Sequence, residues 1–110
     1  MTLVARTRAR AVETLTLASP ATRNALSAAL VAELADALAD AGEDTGVRAV
    51  VLTHTGNTFS AGADLRDPPE PGALVALLRQ IVALPRPVVA RVTAHLTALA
   101  ARLFGSPQAR

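Results

Sequence analysis

The sequence predicts an α/β fold, in which helices alternate with the strands of a largely parallel sheet. Apolar residues recur every three or four positions from Ala28 to Ala41, which is typical of an amphipathic helix. The run from Val47 to Thr53 is apolar and rich in β-branched residues, as in a buried strand. A second helical pattern and a second short strand pattern follow, and this order favours parallel pairing of the two strands.

Two further strands are predicted before the first helix, over residues 3–8 and 12–17. The connection, residues 9–11, lacks the Asn-Gly or Asp-Gly pair typical of tight hairpins, so the pattern favours a hairpin without fixing its turn. Three arginines alternate along this region: Arg6, Arg8 and Arg10. We interpret them as one solvated strand face, and a phosphate-binding strip is the alternative.

Turn and cap residues predict where the later elements begin and end. Ser27 is a suitable N-cap for the helix over residues 28–41, and Gly42 is a plausible stop. The pattern predicts a second helix over residues 73–84, which the Pro85-Arg86-Pro87 run ends. A strand over residues 88–92 and an Ala- and Leu-rich helix over residues 93–104 complete the prediction.

The composition is that of one small domain spanning residues 1–110. Its core should consist of Val, Leu and Ala, since Phe59 and Phe104 are the only aromatic residues. The net charge of +2 gives little support for nucleic-acid binding. The sequence has no cysteine, no apolar stretch long enough to cross a bilayer and no signal-peptide pattern at its start, so we expect a soluble cytoplasmic protein without membrane or nucleic-acid partners.

The stretch Thr58–Leu65, here called the octet, is the strongest indication of function. It follows the buried strand and a loop over residues 54–57, and we predict a strand end, a tight turn and a helix start. Its small residues, Ser60 to Ala63, leave the backbone approachable, so that an N–H there can stabilise a developing oxyanion. A strand-to-helix turn with small residues for packing is the alternative.

Other candidates for chemistry are few. We interpret His54 and His95 as structural or solvated histidines. Three acidic residues form a small cluster without a histidine at ligand spacing: Asp64, Asp67 and Glu70. No metal site is therefore predicted.

Four segments together resemble the enoyl-CoA hydratase/isomerase (crotonase) family, in the family's order and spacing. They are Leu15–Ser27 with its Arg23-Asn24-Ala25-Leu26 motif, Arg48–Thr53, Phe59–Leu65 and Leu84–Ala90. The resemblance covers about residues 3–92. It implies a crotonase-like (ClpP/crotonase) spiral of strand-strand-helix units, of which we expect this chain to hold the N-terminal part, truncated.

The resemblance also implies a function and a site. The family binds coenzyme A thioesters, needs no further cofactor and serves fatty acid metabolism. The residue after the octet's glycine, Ala63, corresponds to one of two oxyanion-hole N–H donors. The implied substrate-binding residues are Arg23, Ala25, Ala61, Ala63, Asp64, Leu65 and Arg66. Arg23 and Arg66 could pair with coenzyme A phosphates, and the alternative is that both are ordinary solvated arginines. Asp64 is interpreted as a helix cap. Because the family works as trimers, self-association is expected.

The resemblance breaks after Val92, where the family has consecutive glycines. The second oxyanion donor falls on Leu99, the first hydratase glutamate falls on Arg102, and the second falls beyond Arg110. Three hypotheses remain open: an enoyl-CoA hydratase/isomerase-like enzyme, a catalytically silent acyl-CoA-binding protein, and a truncated product without function. We expect weak activity or none. The acyl chain and the reaction within the family are not determined by the sequence.

Overall fold

The computed structural model describes residues 2–93, which form a four-stranded mixed sheet and two α-helices. In chain order the elements are β1 (Val4–Ala9), β2 (Val12–Leu17), a 3-10 turn (Pro20–Thr22), α1 (Ala28–Glu43), β3 (Ala49–His54), α2 (Pro71–Ala83) and β4 (Val88–Ala90). The strand order is β1-β2-β3-β4; β1 is antiparallel to β2, and the other two pairs are parallel. The predicted α/β class and the parallel pairing of β3 with β4 are confirmed. The helix predicted over residues 93–104 lies outside the described residues except for Thr93.

The connection between β1 and β2 is a tight hairpin. Ala9 pairs with Val12, so only Arg10 and Ala11 form the turn. Arg10 adopts a φ of 58°, in the left-handed region that Gly or Asn usually occupies. The sequence left this turn open because the residue that adopts the strained conformation is an arginine.

Helix α1 begins where the sequence predicts and ends two residues later. The Ser27 hydroxyl oxygen accepts a hydrogen bond from the Leu30 N–H at 3.0 Å, so the predicted N-cap is confirmed. Gly42, predicted as the stop, lies inside the last turn, and Asp44 is the C-cap. A Cβ at Gly42 would lie 3.0 Å from the Leu84 side chain, so the glycine makes room for the chain after α2.

One aliphatic core joins α1 to the sheet. It consists of Val4, Leu15, Leu17, Leu30, Val31, Leu34, Ala37, Leu38, Ala41, Val47, Val50 and Leu77. The predicted Val, Leu and Ala core is confirmed, and Phe59 packs against its edge. None of the helices within residues 2–93 combines the length and apolarity that a bilayer crossing requires.

Two of the three hairpin arginines pair with acidic residues. Arg6 pairs with Asp40 of α1 at 2.6 Å, and Arg8 pairs with Glu13 at 3.1 Å and with Asp44. The hydrogen bond from Arg8 is the main cause that lowers the pKa of the Asp44 carboxyl, and a hydrogen bond from the Gly46 N–H lowers this pKa further. The Asp44 bond likewise raises the pKa of Arg8. These pairs favour the interpretation of a strand face over that of a phosphate-binding strip.

Candidate functional site

The octet runs beside the segment that precedes α1. Leu26 and Ala63 form an isolated parallel bridge. The Leu26 N–H donates to the Gly62 carbonyl at 2.7 Å, and the Asp64 N–H donates to the Leu26 carbonyl at 2.9 Å. No helix begins within the octet, because residues 65–66 form a turn and α2 starts only at Pro71. The predicted helix start is therefore wrong.

The bridge determines the orientation of the Ala63 backbone. In a parallel pairing the opposite residue bonds the groups on either side of its partner, so the partner's own N–H and C=O face the other way. Both bonds of Leu26 go to the neighbours of Ala63. Ala63 is exposed, and none of residues 2–93 accepts a hydrogen bond from its N–H.

Gly62 gives the octet its turn. Its φ of 96° lies in the region that residues with side chains rarely adopt, and an added Cβ would meet no atom of residues 2–93 within 4 Å. A glycine is therefore favoured here by the positive φ of the backbone and not by crowding around its Cα.

Hydrogen bonds also bring the Arg23–Ala25 segment against the octet. The Ala61 N–H donates to the Arg23 carbonyl at 2.9 Å. The Ser60 hydroxyl donates to the Asn24 carbonyl at 2.8 Å and accepts from the Gly62 N–H at 3.2 Å. The predicted residues Arg23, Ala25, Ala61 and Ala63 therefore lie in one region. The Arg23 side chain is exposed.

Asn24 holds this arrangement together, although sequence reasoning did not single it out as a site residue. It is fully buried with a φ of 54°. Its side-chain oxygen accepts from the Ser19 N–H at 2.8 Å. Its amide nitrogen donates to the carbonyls of Thr55 at 3.2 Å and Thr58 at 2.9 Å. The sequence did offer a signal for this role: Asn24 lies in a turn segment, and Asn tolerates the left-handed conformation.

The polar end of the octet forms a capped turn. Asp64 accepts a hydrogen bond from the Arg66 N–H at 2.9 Å, and its carboxylate lies 3.8 Å from the Arg66 side-chain Nε. Asp64 therefore caps a turn and not the short helix that we predicted. Leu65 is 90% exposed, and the Arg66 side chain is 83% exposed.

Asp67, next along the chain, serves the first helix. Its carbonyl accepts from the Ala28 N–H at 2.8 Å, and its carboxylate accepts from the Ala29 N–H at 3.4 Å. These are two of the amide groups that a helix start leaves unpaired. An acidic side chain there also interacts favourably with the helix dipole. The loop after the octet is thereby fixed to α1.

Of the remaining candidate residues, the structure describes only His54. His54 is the last residue of β3 and is buried, so it does not belong to the following loop as predicted. Leu99, His95 and Arg102 lie outside the described residues. Among residues 2–93 there is no group of three or more potential metal ligands.

Comparison with known proteins identifies a family. The family model described as enoyl-CoA hydratase/isomerase matches residues 7–101. A probable enoyl-CoA hydratase, echA6, from Mycobacterium tuberculosis is 42% identical over 90 residues, which cover 78% of this chain and 37% of the relative. The chain thus spans well under half the length of this curated relative.

Solved structures share the fold. An enoyl-CoA hydratase from Mycobacterium avium superimposes with a TM-score of 0.79 at 41% identity, over 94% of this chain and 44% of that one. The enoyl-CoA hydratase from Bacillus anthracis gives a TM-score of 0.78 at 26% identity, over 84% of this chain and 40% of that one. The similarity therefore covers most of the present chain and less than half of each relative.

Proposed function

The chain belongs to the enoyl-CoA hydratase/isomerase family, and from that premise we propose that it binds acyl-CoA thioesters with the thioester carbonyl directed at the Ala63 N–H. One observation carries the proposal: Ala63 is exposed, and its amide faces away from the bridge with Leu26. A backbone N–H held in this way polarises a carbonyl and stabilises the enolate-like state formed from it.

The coenzyme A moiety is assigned to the side of Arg23. The Arg23 carbonyl is bonded to the Ala61 N–H, which fixes its backbone beside the octet while its side chain is exposed. A guanidinium suits phosphate because its planar donors match the phosphate oxygens. Ala25 borders the same region, and Leu65 and Arg66 extend exposed apolar and cationic groups from the other end of the octet.

Catalysis by this chain would need groups other than the Ala63 N–H. Hydration needs a second oxyanion donor and carboxylates that handle protons. Within residues 2–93 the carboxylate nearest Ala63 in sequence is Asp64, which is engaged with the Arg66 turn. Arg102 cannot act as a base where the family has a glutamate, because a guanidinium stays protonated.

A silent acyl-CoA-binding protein is therefore the second candidate. It is favoured by Leu99 and Arg102, which stand where the resemblance places a glycine donor and a glutamate. This candidate shares the Ala63 site and differs only in turnover.

We also propose a cytoplasmic location and self-association, the latter because Leu65, Leu78 and Val82 expose large apolar side chains.

Calorimetric titration with crotonyl-CoA tests the proposal. We expect binding to the wild-type chain and at least about tenfold weaker binding to Ala63→Trp, because an indole would fill the space beside the amide. Ala63→Gly is the matched control, since it keeps the N–H and adds no bulk. Equal affinities in all three proteins, with folding verified by circular dichroism, would overturn the proposed site.

A further inference from the structure

Within residues 2–93, the peptide group that joins Gly62 to Ala63 is hydrogen-bonded on one side only. Its carbonyl accepts a hydrogen bond from the Leu26 N–H at 2.7 Å, at the short end of the range for N–H···O bonds. The peptide is trans and planar, so its C=O and its N–H point in opposite directions. The Ala63 N–H therefore points directly away from Leu26.

Leu26 is a donor in a fixed position. Its side chain packs against the aliphatic core, and the next residue, Ser27, is the N-cap of α1. Its carbonyl accepts a hydrogen bond from the Asp64 N–H at 2.9 Å. The core, the helix and the bridge together therefore determine where the Leu26 N–H lies.

The peptide group before Gly62 is held as well. The Gly62 N–H donates to the Ser60 hydroxyl at 3.2 Å, and that hydroxyl donates to the Asn24 carbonyl at 2.8 Å. Glycine has no side chain that would restrict its backbone, so its φ of 96° depends on hydrogen bonds to the two peptide groups that flank it. Of these bonds, the one from Leu26 holds the peptide group that carries the Ala63 amide.

A hydrogen bond to a peptide carbonyl also changes the N–H of the same peptide group. Amide resonance moves electron density from nitrogen to oxygen, and a donor at the oxygen favours this displacement. The N–H then becomes a stronger donor, and hydrogen bonds in such a chain strengthen one another by about 10–30% per bond. The Leu26 bond therefore both directs and strengthens the Ala63 N–H.

We propose that Leu26 is a positioning residue for the oxyanion site, through a relay that runs from its N–H across the Gly62–Ala63 peptide to the thioester oxygen. The inference rests on the proposed function, in which the Ala63 N–H binds the thioester carbonyl. Leu26 acts through its backbone and does not touch the ligand. As negative charge develops on the thioester oxygen, two hydrogen bonds in series respond to it.

Backbone esters in the full chain, prepared by chemical ligation, test the relay. An ester at residue 26 removes the Leu26 N–H and keeps the side chain. The matched control is an ester at residue 61, because the Ala61 N–H also joins the two segments, by donating to the Arg23 carbonyl at 2.9 Å. The quantity measured is the ratio of the affinity for crotonyl-CoA to that for free coenzyme A, which has no thioester carbonyl. We expect this ratio to fall about 3- to 10-fold for the ester at residue 26 and to stay unchanged for the ester at residue 61.

Infrared spectroscopy of the wild-type chain follows the relay directly and does not require either ester to fold. An isotopic label on the Gly62 carbonyl separates its band from those of the other peptide groups. A ligand oxygen that accepts from the Ala63 N–H polarises the whole peptide group. We therefore expect crotonyl-CoA to move the Gly62 band to lower frequency and free coenzyme A to leave it unchanged.

The outcomes separate this inference from the proposed function. In a chain that binds crotonyl-CoA and lowers the frequency of the ligand's own carbonyl, three results would each overturn the role of Leu26 alone. They are an unchanged affinity ratio in the folded residue-26 ester, an equal fall in the residue-61 ester, and a Gly62 band that crotonyl-CoA does not move. A wild-type chain that does not bind crotonyl-CoA would overturn the proposed function and this inference together.

Discussion

Leu26 and Ala63 pair across a parallel bridge in which both hydrogen bonds of Leu26 go to the residues flanking Ala63. The segment before α1 thereby determines where the Ala63 amide faces. The family motif around Arg23 and the octet are separated in sequence by α1 and β3, yet hydrogen bonds hold them side by side.

Asn24→Ala should destabilise the fold by about 1–3 kcal/mol. The substitution leaves the Ser19 amide and the carbonyls of Thr55 and Thr58 without their present partner. It also places alanine at a φ of 54°. Urea denaturation measures the free energy of unfolding. Asn57→Ala, an exposed position in the same loop region, is the control and should change it by less than about 0.5 kcal/mol. Similar values for both variants would contradict the anchoring role of Asn24.

Stability should depend on the ionisation of Asp44. Its pKa is lowered in the folded chain from an ordinary value of 3.8, so the ionised carboxylate favours folding above that value. The contribution is lost as the pH falls through the lowered value. The difference in unfolding free energy between wild type and Asp44→Asn should therefore be largest near about pH 7 and shrink below about pH 4.

The exposed Asp36 provides a control for this pH dependence, since no ion pair involves it among the described residues. Asp36→Asn should show no comparable change with pH. Added salt should reduce the Asp44 effect, because both side chains of the Arg8 pair are 40% exposed. If the difference in unfolding free energy between wild type and Asp44→Asn stays constant across the acid range, the ionised Asp44 carboxylate does not contribute to stability as proposed.

Arg23→Ala should weaken coenzyme A binding and make it less dependent on salt. An exposed arginine paired with a phosphate is screened by ions, so removing it removes part of the salt dependence. Isothermal titration at low and moderate ionic strength measures both quantities. Arg48→Ala replaces another exposed arginine outside the site and should leave them unchanged. Equal behaviour of the two variants would argue against a phosphate contact by Arg23.

Periodicity predicted the fold well because local patterns determine the elements involved. The apolar face of α1 and the β-branched run of β3 have no competing interpretation, and Ser27 caps the helix as expected. The octet was harder. Its helix start was wrong because Asp64 forms a turn with Arg66, and the capping role of Asp67 at α1 depends on tertiary contact. Asn24 likewise bonds carbonyls that lie more than 30 residues away along the chain.

The 110-residue chain should hydrate crotonyl-CoA near the uncatalysed rate. Loss of one oxyanion donor costs about 100- to 1000-fold, and loss of a general acid or base costs about 100- to 10,000-fold, although such factors need not multiply. Loss of the enoyl absorbance measures hydration. Turnover of about one per second would contradict the expectation and would require another residue or a partner chain to supply the missing groups.

The most direct test of the central claim is the infrared carbonyl band of isotopically labelled crotonyl-CoA bound to the chain. A hydrogen bond from the Ala63 amide polarises the thioester carbonyl and lowers its stretching frequency relative to free ligand. Ala63→Pro removes that N–H, and Ala63→Gly keeps it. We predict the lowered frequency in wild type and Ala63→Gly, and a frequency near that of free ligand in Ala63→Pro. The same lowered frequency in Ala63→Pro, folded and saturated with ligand, would show that Ala63 does not bind the carbonyl.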